Sequence, residues 1–160
     1  MIVPLRAEDV ADCAYIMSEN TLWQTYDVTQ AAAEAQLHDG LSSPDARIMV
    51  ARTDQSVKGF IWYYTKGTFH RGAYIRLIGV HPNHQGEGIG TQLMNVAEAD
   101  IVTYTRHIFL LSSDFNQDAH RFYHRLGYNA IGALPNFAKE GISEMIFLKT
   151  LEQRKEHDNA

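Results

Sequence analysis

A second cysteine is absent from this sequence of 160 residues, whose single cysteine is Cys13. An internal disulfide is therefore excluded, and such sparse cysteine is typical of the reducing cytosol. Long apolar runs are also absent, because no stretch approaches the roughly 18 residues that a membrane-spanning helix needs. The first residues, MIVPLRAEDV, lack the basic end and apolar middle of a secretory signal. We therefore expect a cytoplasmic protein without a membrane partner.

Positive charge is scarce as well. The chain has 14 lysines and arginines against 19 aspartates and glutamates, a formal net charge of −5. A broad nucleic-acid surface needs clustered lysine and arginine, so nucleic acid is not an expected partner. A small anion held by backbone groups at a helix start stays compatible with this charge, since the field there is local.

Hydrophobic periodicity divides the chain into alternating strand and helix patterns in the order βααβββαβαββ. This order predicts one α/β domain over residues 1–150, with a mixed sheet of about six to seven strands and about four helices. Thr29 and Gly40 are placed to begin and end the second helix, and Asn116 and Gly127 to begin and end the last one. Residues 151–160 form a charged tail whose composition is compatible with disorder.

Three glycines follow the predicted strand that ends at Val80. Gly86, Gly88 and Gly90 alternate with other residues directly before a helical pattern. A P-loop is excluded because no lysine precedes Thr91, and the spacing G-x-G-x-G does not fit the dinucleotide fingerprint. Two interpretations remain: a tight connection without a ligand, or a row of bare N–H groups that binds an anion at the helix start.

The turn and a second segment together resemble one known family. Residues 85–90 read Q-x-x-G-x-G, and NQDAHRFYHRLGY follows after one more predicted strand. Both segments are similar to the signatures of the GNAT superfamily of acetyl-coenzyme A-dependent N-acetyltransferases. The second segment matches at Asn116, Ala119, Phe122, Tyr123, Gly127 and Tyr128. The resemblance covers about residues 1–150 and implies a GNAT-like fold.

The resemblance implies that the turn binds acetyl-coenzyme A as co-substrate. Backbone N–H groups of residues 86–91 would surround the pyrophosphate, and the preceding strand would hold the pantetheine arm. Glu87 departs from the family, which has lysine or arginine there, and we expect its side chain to point to solvent. The expected cofactor-binding residues are Ile78, Gly79, Val80, Gln85, Gly86, Glu87, Gly88, Ile89, Gly90, Thr91, Asn116 and Tyr123.

Tyr123 stands at the position of the family's usual general acid. It lies at the edge of the apolar stripe of its helix, where the hydroxyl could reach a cleft. The alternative is a tyrosine that only packs. Asn116 is expected to cap this helix, and the resemblance adds a contact to the cofactor.

The general base is not identified by sequence. Some relatives have a glutamate five residues before the asparagine, where this chain has Leu111. Others have a glutamate or histidine on the strand before the turn. Strict alternation there puts Tyr74, Arg76 and Ile78 on one face, and Ile75, Leu77 and Gly79 on the other. A water chain, His70, His81 or an already neutral amine are the remaining options.

The acceptor site is expected in the loop between the first two helices, where the family builds it. Trp23, Tyr26 and Asp27 there could form an aromatic wall with one carboxylate, suited to a cationic amine, or could pack on the core. His120 and His124 have a spacing that zinc could use, but no third ligand is apparent. A solvated helix face is favoured for the pair, and no metal is expected.

The leading hypothesis is an enzyme that moves an acetyl group from acetyl-coenzyme A to a primary amine of a small molecule, peptide or protein. One alternative is a non-catalytic acyl-coenzyme A-binding sensor or subunit, favoured by the missing base and by Glu87. Another is a toxin that acetylates aminoacyl-tRNA, which the net charge disfavours. The acceptor and the oligomeric state stay open, with a homodimer among the options.

Overall fold

A computed structural model describes residues 1–152, so most of the predicted charged tail, residues 153–160, lies outside the described part. Seven strands form within it: Ile2–Pro4 (β1), Ala46–Arg52 (β2), Val57–Thr68 (β3), Gly72–Val80 (β4), His107–Ser113 (β5), Asn129–Pro135 (β6) and Ser143–Thr150 (β7). Five helices accompany them: Val10–Glu19 (α1), Thr21–Gln24 (α2), Gln30–Ser42 (α3), Ile89–Ile101 (α4) and Gln117–Arg125 (α5). The predicted mixed α/β domain is confirmed, and short α2 is an addition in a segment that was expected to be a loop.

The strands form one sheet in the order β1-β2-β3-β4-β5-β7-β6. Its pairs are antiparallel except β4 and β5, which run parallel and are connected through α4. Both parallel strands therefore end at the same edge of the sheet, which in open α/β sheets is where ligands bind.

Two apolar cores cover the two faces of the sheet. Alternate residues of β3 divide between them, with Phe60 and Trp62 on the side of α1 and α3, and Ile61 and Tyr63 on the side of α4. All four side chains are essentially inaccessible to solvent. Burying a large apolar side chain contributes about 1.5–3 kcal/mol, so this alternation fixes the orientation of the strand.

A bulge in β4 changes the predicted facing of its side chains. Trp62 pairs with Leu77 but Tyr63 pairs with Ile75, so Arg76 is the extra residue. Ile75 and Ile78 consequently both contact the core beside α4. The prediction of strict alternation through residues 74–79 was wrong, because an unpaired residue shifts the period.

Thr29 caps α3 as predicted, its hydroxyl accepting a hydrogen bond from the Ala32 N–H at 3.2 Å. Gly40, in contrast, does not end this helix, which continues to Ser42. A Cβ atom at Gly40 would lie 2.5 Å from the Trp62 ring. This glycine therefore serves close packing of α3 on the sheet, and the helix ends two residues later.

Candidate active site

A cleft opens where β4 and β5 separate. The two strands pair only from Ala73 to Ile75 and from Ile108 to Leu110. Beyond that, residues 76–78 and 111–113 line opposite sides of a cavity of about 250 Å³. We call this space the β4–β5 cleft. Its lining is Leu22, Trp23, Tyr26, Tyr74, Ile75, Arg76, Leu77, Ile78, Leu111, Ser112, Ser113, Asn116, Ala119, Tyr123, Phe137, Ala138 and Glu144.

The glycine turn lies at the end of β4 and leads into α4. Gly86 and Gly88 have φ angles of +82° and +79°, which favour glycine. A Cβ atom at either would meet nothing within 4 Å, so no neighbouring group explains the bare backbone there. Among the described residues, the N–H groups of residues 86–91 have no acceptor, and the first bonded one is Gln92, at 3.1 Å from the Gly88 carbonyl. These are the orphan donors of a helix start, which bind anions readily.

Other residues of the turn have different surroundings. The Ile89 side chain is buried in the core beside α4, so only its backbone faces the turn. Gln85 and Thr91 are exposed. A Cβ atom at Gly90 would lie 3.3 Å from the Phe122 ring, so this glycine permits contact between α4 and α5. That contact places the glycine turn next to the helix that carries Tyr123.

Glu87 is exposed, so the prediction that its side chain lies in solvent is confirmed. The carboxylate lies 3.1 Å from His84 Nδ1 and 3.5 Å from Lys58 Nζ. The hydrogen bond from His84 holds the pKa of Glu87 below its ordinary value, and Lys58 adds to this effect. Lys58 and the hydrogen bond from His84 therefore partly offset the unfavourable charge beside the turn.

Of the three β4 residues expected to hold the pantetheine arm, Ile78, Gly79 and Val80, only Ile78 is among the residues that line the β4–β5 cleft. Gly79 is buried, and a Cβ atom there would lie 2.9 Å from Trp23 and 3.0 Å from Ile16. On the other side of β4, Gly79 and Val80 pair with Phe60 and Gly59 of β3, so the strand stays extended to its end.

Tyr123 lies in the cleft, with only 8% of its surface exposed. Asn116 fixes the start of α5 because its Oδ1 accepts a hydrogen bond from the Ala119 N–H at 3.2 Å, as predicted. Within residues 1–152 the Tyr123 hydroxyl has no hydrogen-bond partner. Burial raises the pKa of Tyr123 above its ordinary value, and neighbouring Tyr74 adds to the rise. The hydroxyl therefore stays protonated at neutral pH and is free to donate.

The three residues predicted for the acceptor site do not all line the cleft. Trp23 is buried against Phe60 and also lines the cleft, so it serves both the core and the cavity. Tyr26 lines the cleft and directs its hydroxyl inward. Asp27 does not line it, since its exposed carboxylate lies 3.5 Å from Lys139 Nζ. Asp27 therefore does not place a carboxylate beside Trp23 and Tyr26 in the cleft, as the sequence had suggested.

The cleft contains a different carboxylate, Glu144 of β7, which sequence reasoning missed. Only 6% of Glu144 is exposed. Its Oε1 accepts a hydrogen bond of 2.5 Å from the Tyr26 hydroxyl and one of 3.3 Å from the Ser113 hydroxyl. Burial and the hydrogen bond to Glu144 raise the pKa of Tyr26 to about 12, so Tyr26 remains a donor. The available signal was a single acidic residue directly before the apolar run MIFL of the strand pattern SEMIFLKT.

The histidines of residues 1–152 lie outside the cleft lining. His81 stacks on Tyr15, and its Nδ1 accepts a hydrogen bond from the Asn83 N–H. His70 sits in the β3–β4 turn, at the far end of β4 from the glycine turn. His120 departs from the expected solvated face, because it is half-buried on Phe147 and its Nε2 lies 2.9 Å from the Ser113 carbonyl. His124 is exposed on the same helix.

Metal-binding clusters and membrane-spanning helices are both absent from residues 1–152. Residues 1–152 contain no group of three or more histidine, cysteine, aspartate or glutamate side chains placed to hold a metal ion. In the same part of the chain, none of the helices has the length and apolar character needed to cross a bilayer.

Known proteins of the same fold match almost the whole chain. A Desulfovibrio desulfuricans protein assigned to the GNAT family of acetyltransferases superimposes with a TM-score of 0.81 at 19% identity, covering 95% of this chain and 99% of its own. An aminoglycoside 6′-N-acetyltransferase in complex with coenzyme A gives 0.75 at 17% identity, covering 96% and 98%. Ard1 of Thermoplasma volcanium gives 0.76 at 22%, covering 95% and 97%.

At identities this low, the superpositions establish only a shared fold. The sequence model of the Acetyltransferase (GNAT) family, however, matches residues 11–128, which run from α1 through the glycine turn to the end of α5. The matched range includes Gly86, Gly88, Asn116 and Tyr123. The chain therefore belongs to the GNAT family of acetyltransferases.

Proposed function

We propose that this protein transfers an acetyl group from acetyl-coenzyme A to a primary amine. The observation that carries the proposal is the row of unbonded N–H groups at residues 86–91, at the same sheet edge as the cleft that holds the Tyr123 hydroxyl. One end of this arrangement suits a phosphate and the other suits a reacting thioester.

The residues present fit coenzyme A. Its pyrophosphate is an anion, and the start of α4 offers N–H groups together with the positive end of a helix dipole. Gly86 and Gly88 leave the approach open, since nothing lies within 4 Å of their missing Cβ atoms. Ile78 lines the cleft, and the strand end that it begins would receive the extended pantetheine arm.

Tyr123 is the proposed general acid for the departing thiolate. A donor for this step must carry its proton at neutral pH, and burial of Tyr123 ensures that it does. The same helix brings Asn116 to the cleft, where its Oδ1 is already used by the Ala119 N–H. We assign Asn116 to fixing α5 and, through its amide nitrogen, to a contact with the cofactor.

The acceptor enters from the side formed by Trp23, Tyr26 and Phe137. Phe137 belongs to the β6–β7 connection and is 63% exposed, so this rim is apolar. A cytosolic setting agrees with Cys13, which is a buried free thiol.

Release of free coenzyme A tests the proposal. Wild-type protein is mixed with acetyl-coenzyme A and, separately, with butylamine, butanol, a tripeptide with a free N-terminus, and an aminoacyl-tRNA. Thiol release with an amine but not with butanol supports N-acetylation. Binding of acetyl-coenzyme A without release to any acceptor would instead support the sensor hypothesis, and release with aminoacyl-tRNA alone would support the toxin.

A further inference from the structure

Two carboxylates, Asp9 and Glu144, are buried in the described part of the chain, and a third, Glu98, is half-buried. Asp9 and Glu98 each have a cation. Asp9 lies 2.9 Å from Arg52 Nη1, and Glu98 lies 2.8 Å from Lys149 Nζ. Glu144 is buried to the same degree as Asp9, but no lysine, arginine or histidine of residues 1–152 approaches its carboxylate within 4.0 Å.

The charged groups of Arg76 and Lys139 contact other residues. The Arg76 guanidinium lies 4.1 Å above the Trp62 ring. Lys139 Nζ donates to the Thr25 carbonyl at 2.7 Å. The other charged or titratable groups around the cleft on the packed elements are Tyr26, Tyr74, Asp114, His120 and Tyr123.

Hydrogen bonds from hydroxyl groups do not neutralise the charge of the Glu144 carboxylate. Tyr26 and Ser113 orient the Glu144 carboxylate, but both are neutral. A buried charge is ordinarily paired, because desolvating it alone is costly. The carboxylate borders an open cavity, so a positively charged ligand can complete the pair from the cleft.

We propose that Glu144 is the missing general base: its carboxylate binds the ammonium group of a cationic acceptor and removes the proton. This assignment rests on the proposed acetyl transfer and adds the acceptor's charge and the residue that recognises it. Tyr26 and Ser113 are positioning residues that hold the carboxylate.

The proton balance is complete. The ammonium gives one proton to Glu144, and the neutral amine attacks the thioester carbonyl. The new C–N bond forms and the C–S bond breaks, while Tyr123 protonates the departing sulfur. The nitrogen loses its second proton as the amide forms, which restores Tyr123, and Glu144 returns its proton to water. The net products are the amide, free coenzyme A and one proton.

Glu144→Gln tests the assignment, with Glu98→Gln as a matched control in a carboxylate outside the cleft. Binding of butylamine and of butanol is measured by NMR titration at neutral pH without acetyl-coenzyme A. We expect Glu144→Gln to weaken butylamine binding at least about tenfold, consistent with loss of a charge-assisted contact, and to leave butanol unchanged. The control should change neither. Undetectable butylamine binding to the wild type, or equal binding to Glu144→Gln, overturns the proposal.

The pH profile separates a base from a merely structural residue. With butylamine as acceptor, Glu144→Gln should lower kcat/KM by about 10²- to 10⁴-fold at neutral pH. The loss should shrink toward alkaline pH, where the amine is neutral without help. A loss that is the same at every pH overturns the role as base. If Glu144→Gln does not fold, Glu144→Asp takes its place and should retain the wild-type pH dependence at a lower rate; an altered dependence counts against the assignment.

Different results would overturn the proposed acetyl transfer and the proposed role of Glu144. Loss of butylamine binding in Glu144→Gln, with no thiol release by the wild type, removes acetyl transfer but leaves the ammonium site. Acetyl transfer that is unaffected by Glu144→Gln removes the role of Glu144 and leaves the enzyme.

Discussion

The Tyr26 hydroxyl donates a 2.5 Å hydrogen bond to the Glu144 carboxylate across 118 residues of sequence. Tyr26 belongs to the connection between α2 and α3, and Glu144 belongs to β7, so this bond joins two separate segments that line the β4–β5 cleft. The loop is further attached by Lys139, which donates to the Thr25 carbonyl at 2.7 Å. These two hydrogen bonds attach this part of the chain to β7 and to the β6–β7 connection.

The free energy of unfolding should distinguish buried Glu144 from half-buried Glu98. Glu144→Gln removes a charge that lacks a cation, so we expect an unchanged or higher melting temperature at neutral pH. Glu98→Gln leaves Lys149 without its carboxylate and should cost about 1–3 kcal/mol, or several degrees in Tm. Thermal denaturation monitored by circular dichroism measures both. Equal losses would show that Glu144 is already paired in solution.

Acetyl-coenzyme A at about a hundred times its Kd should stabilise the fold by about 2.7 kcal/mol, and NAD or ATP by much less. Gly88→Val should abolish this thermal shift, because its side chain occupies the anion approach. Val at a positive φ is also strained, and Gly141→Val is the control, since Gly141 has a φ of +82° and equally open surroundings. Both variants should lose about 1–3 kcal/mol of stability, and only Gly88→Val should lose the ligand. Normal binding to Gly88→Val would move the phosphate site elsewhere.

Glu87→Lys should tighten coenzyme A binding, and most at low salt, because an exposed charge near phosphates acts through a screened field. The substitution also removes the carboxylate that lies 3.5 Å from Lys58, which leaves that cation free to act on the phosphates. Calorimetric titrations at low and high ionic strength measure the difference, with Glu87→Gln expected to be intermediate. Identical affinities at low salt would place this side chain beyond the reach of the ligand.

Tyr123→Phe should preserve folding and coenzyme A affinity and reduce kcat by about 10²- to 10⁴-fold, provided that thiolate departure limits the rate. Single-turnover rates across about pH 6 to 9 measure this effect. Tyr104→Phe removes the hydroxyl of a tyrosine that is 60% exposed and outside the cleft lining, and should leave folding, coenzyme A affinity and kcat unchanged. Rates equal to wild type at every pH would reduce Tyr123 to a packing residue.

Cys13 should be inert in the folded protein. Burial raises the pKa of the Cys13 thiol, and the charges of Asp9 and Asp12 raise it further, so the thiol stays protonated at mildly alkaline pH. Because the thiolate is the reactive form, iodoacetamide should modify Cys13 slowly in buffer and rapidly in denaturant. Mass spectrometry follows the reaction, and rapid labelling of the native protein would contradict the burial of this residue.

The sequence by itself determined the features that depend on neighbouring residues. The caps at Thr29 and Asn116 are hydrogen bonds to N–H groups three residues onward, and both were predicted. The periodicity of the apolar residues identified the strands and the longer helices, because burial of one face follows the local geometry. The motif around Gly86 and Gly88 is likewise contiguous, and so is the segment that carries Tyr123.

Tertiary structure decided what depends on distant partners. Gly40 looked like a helix end until the Trp62 ring was placed against it. The bulge at Arg76 reflects pairing with β3 and leaves no signal in an apolar strand. Glu144 meets Tyr26 and Ser113 only because β7 pairs with β5, whose carboxyl end opens into the cleft. Local patterns carry no information on such pairings, since folding brings these groups together through contacts between remote segments.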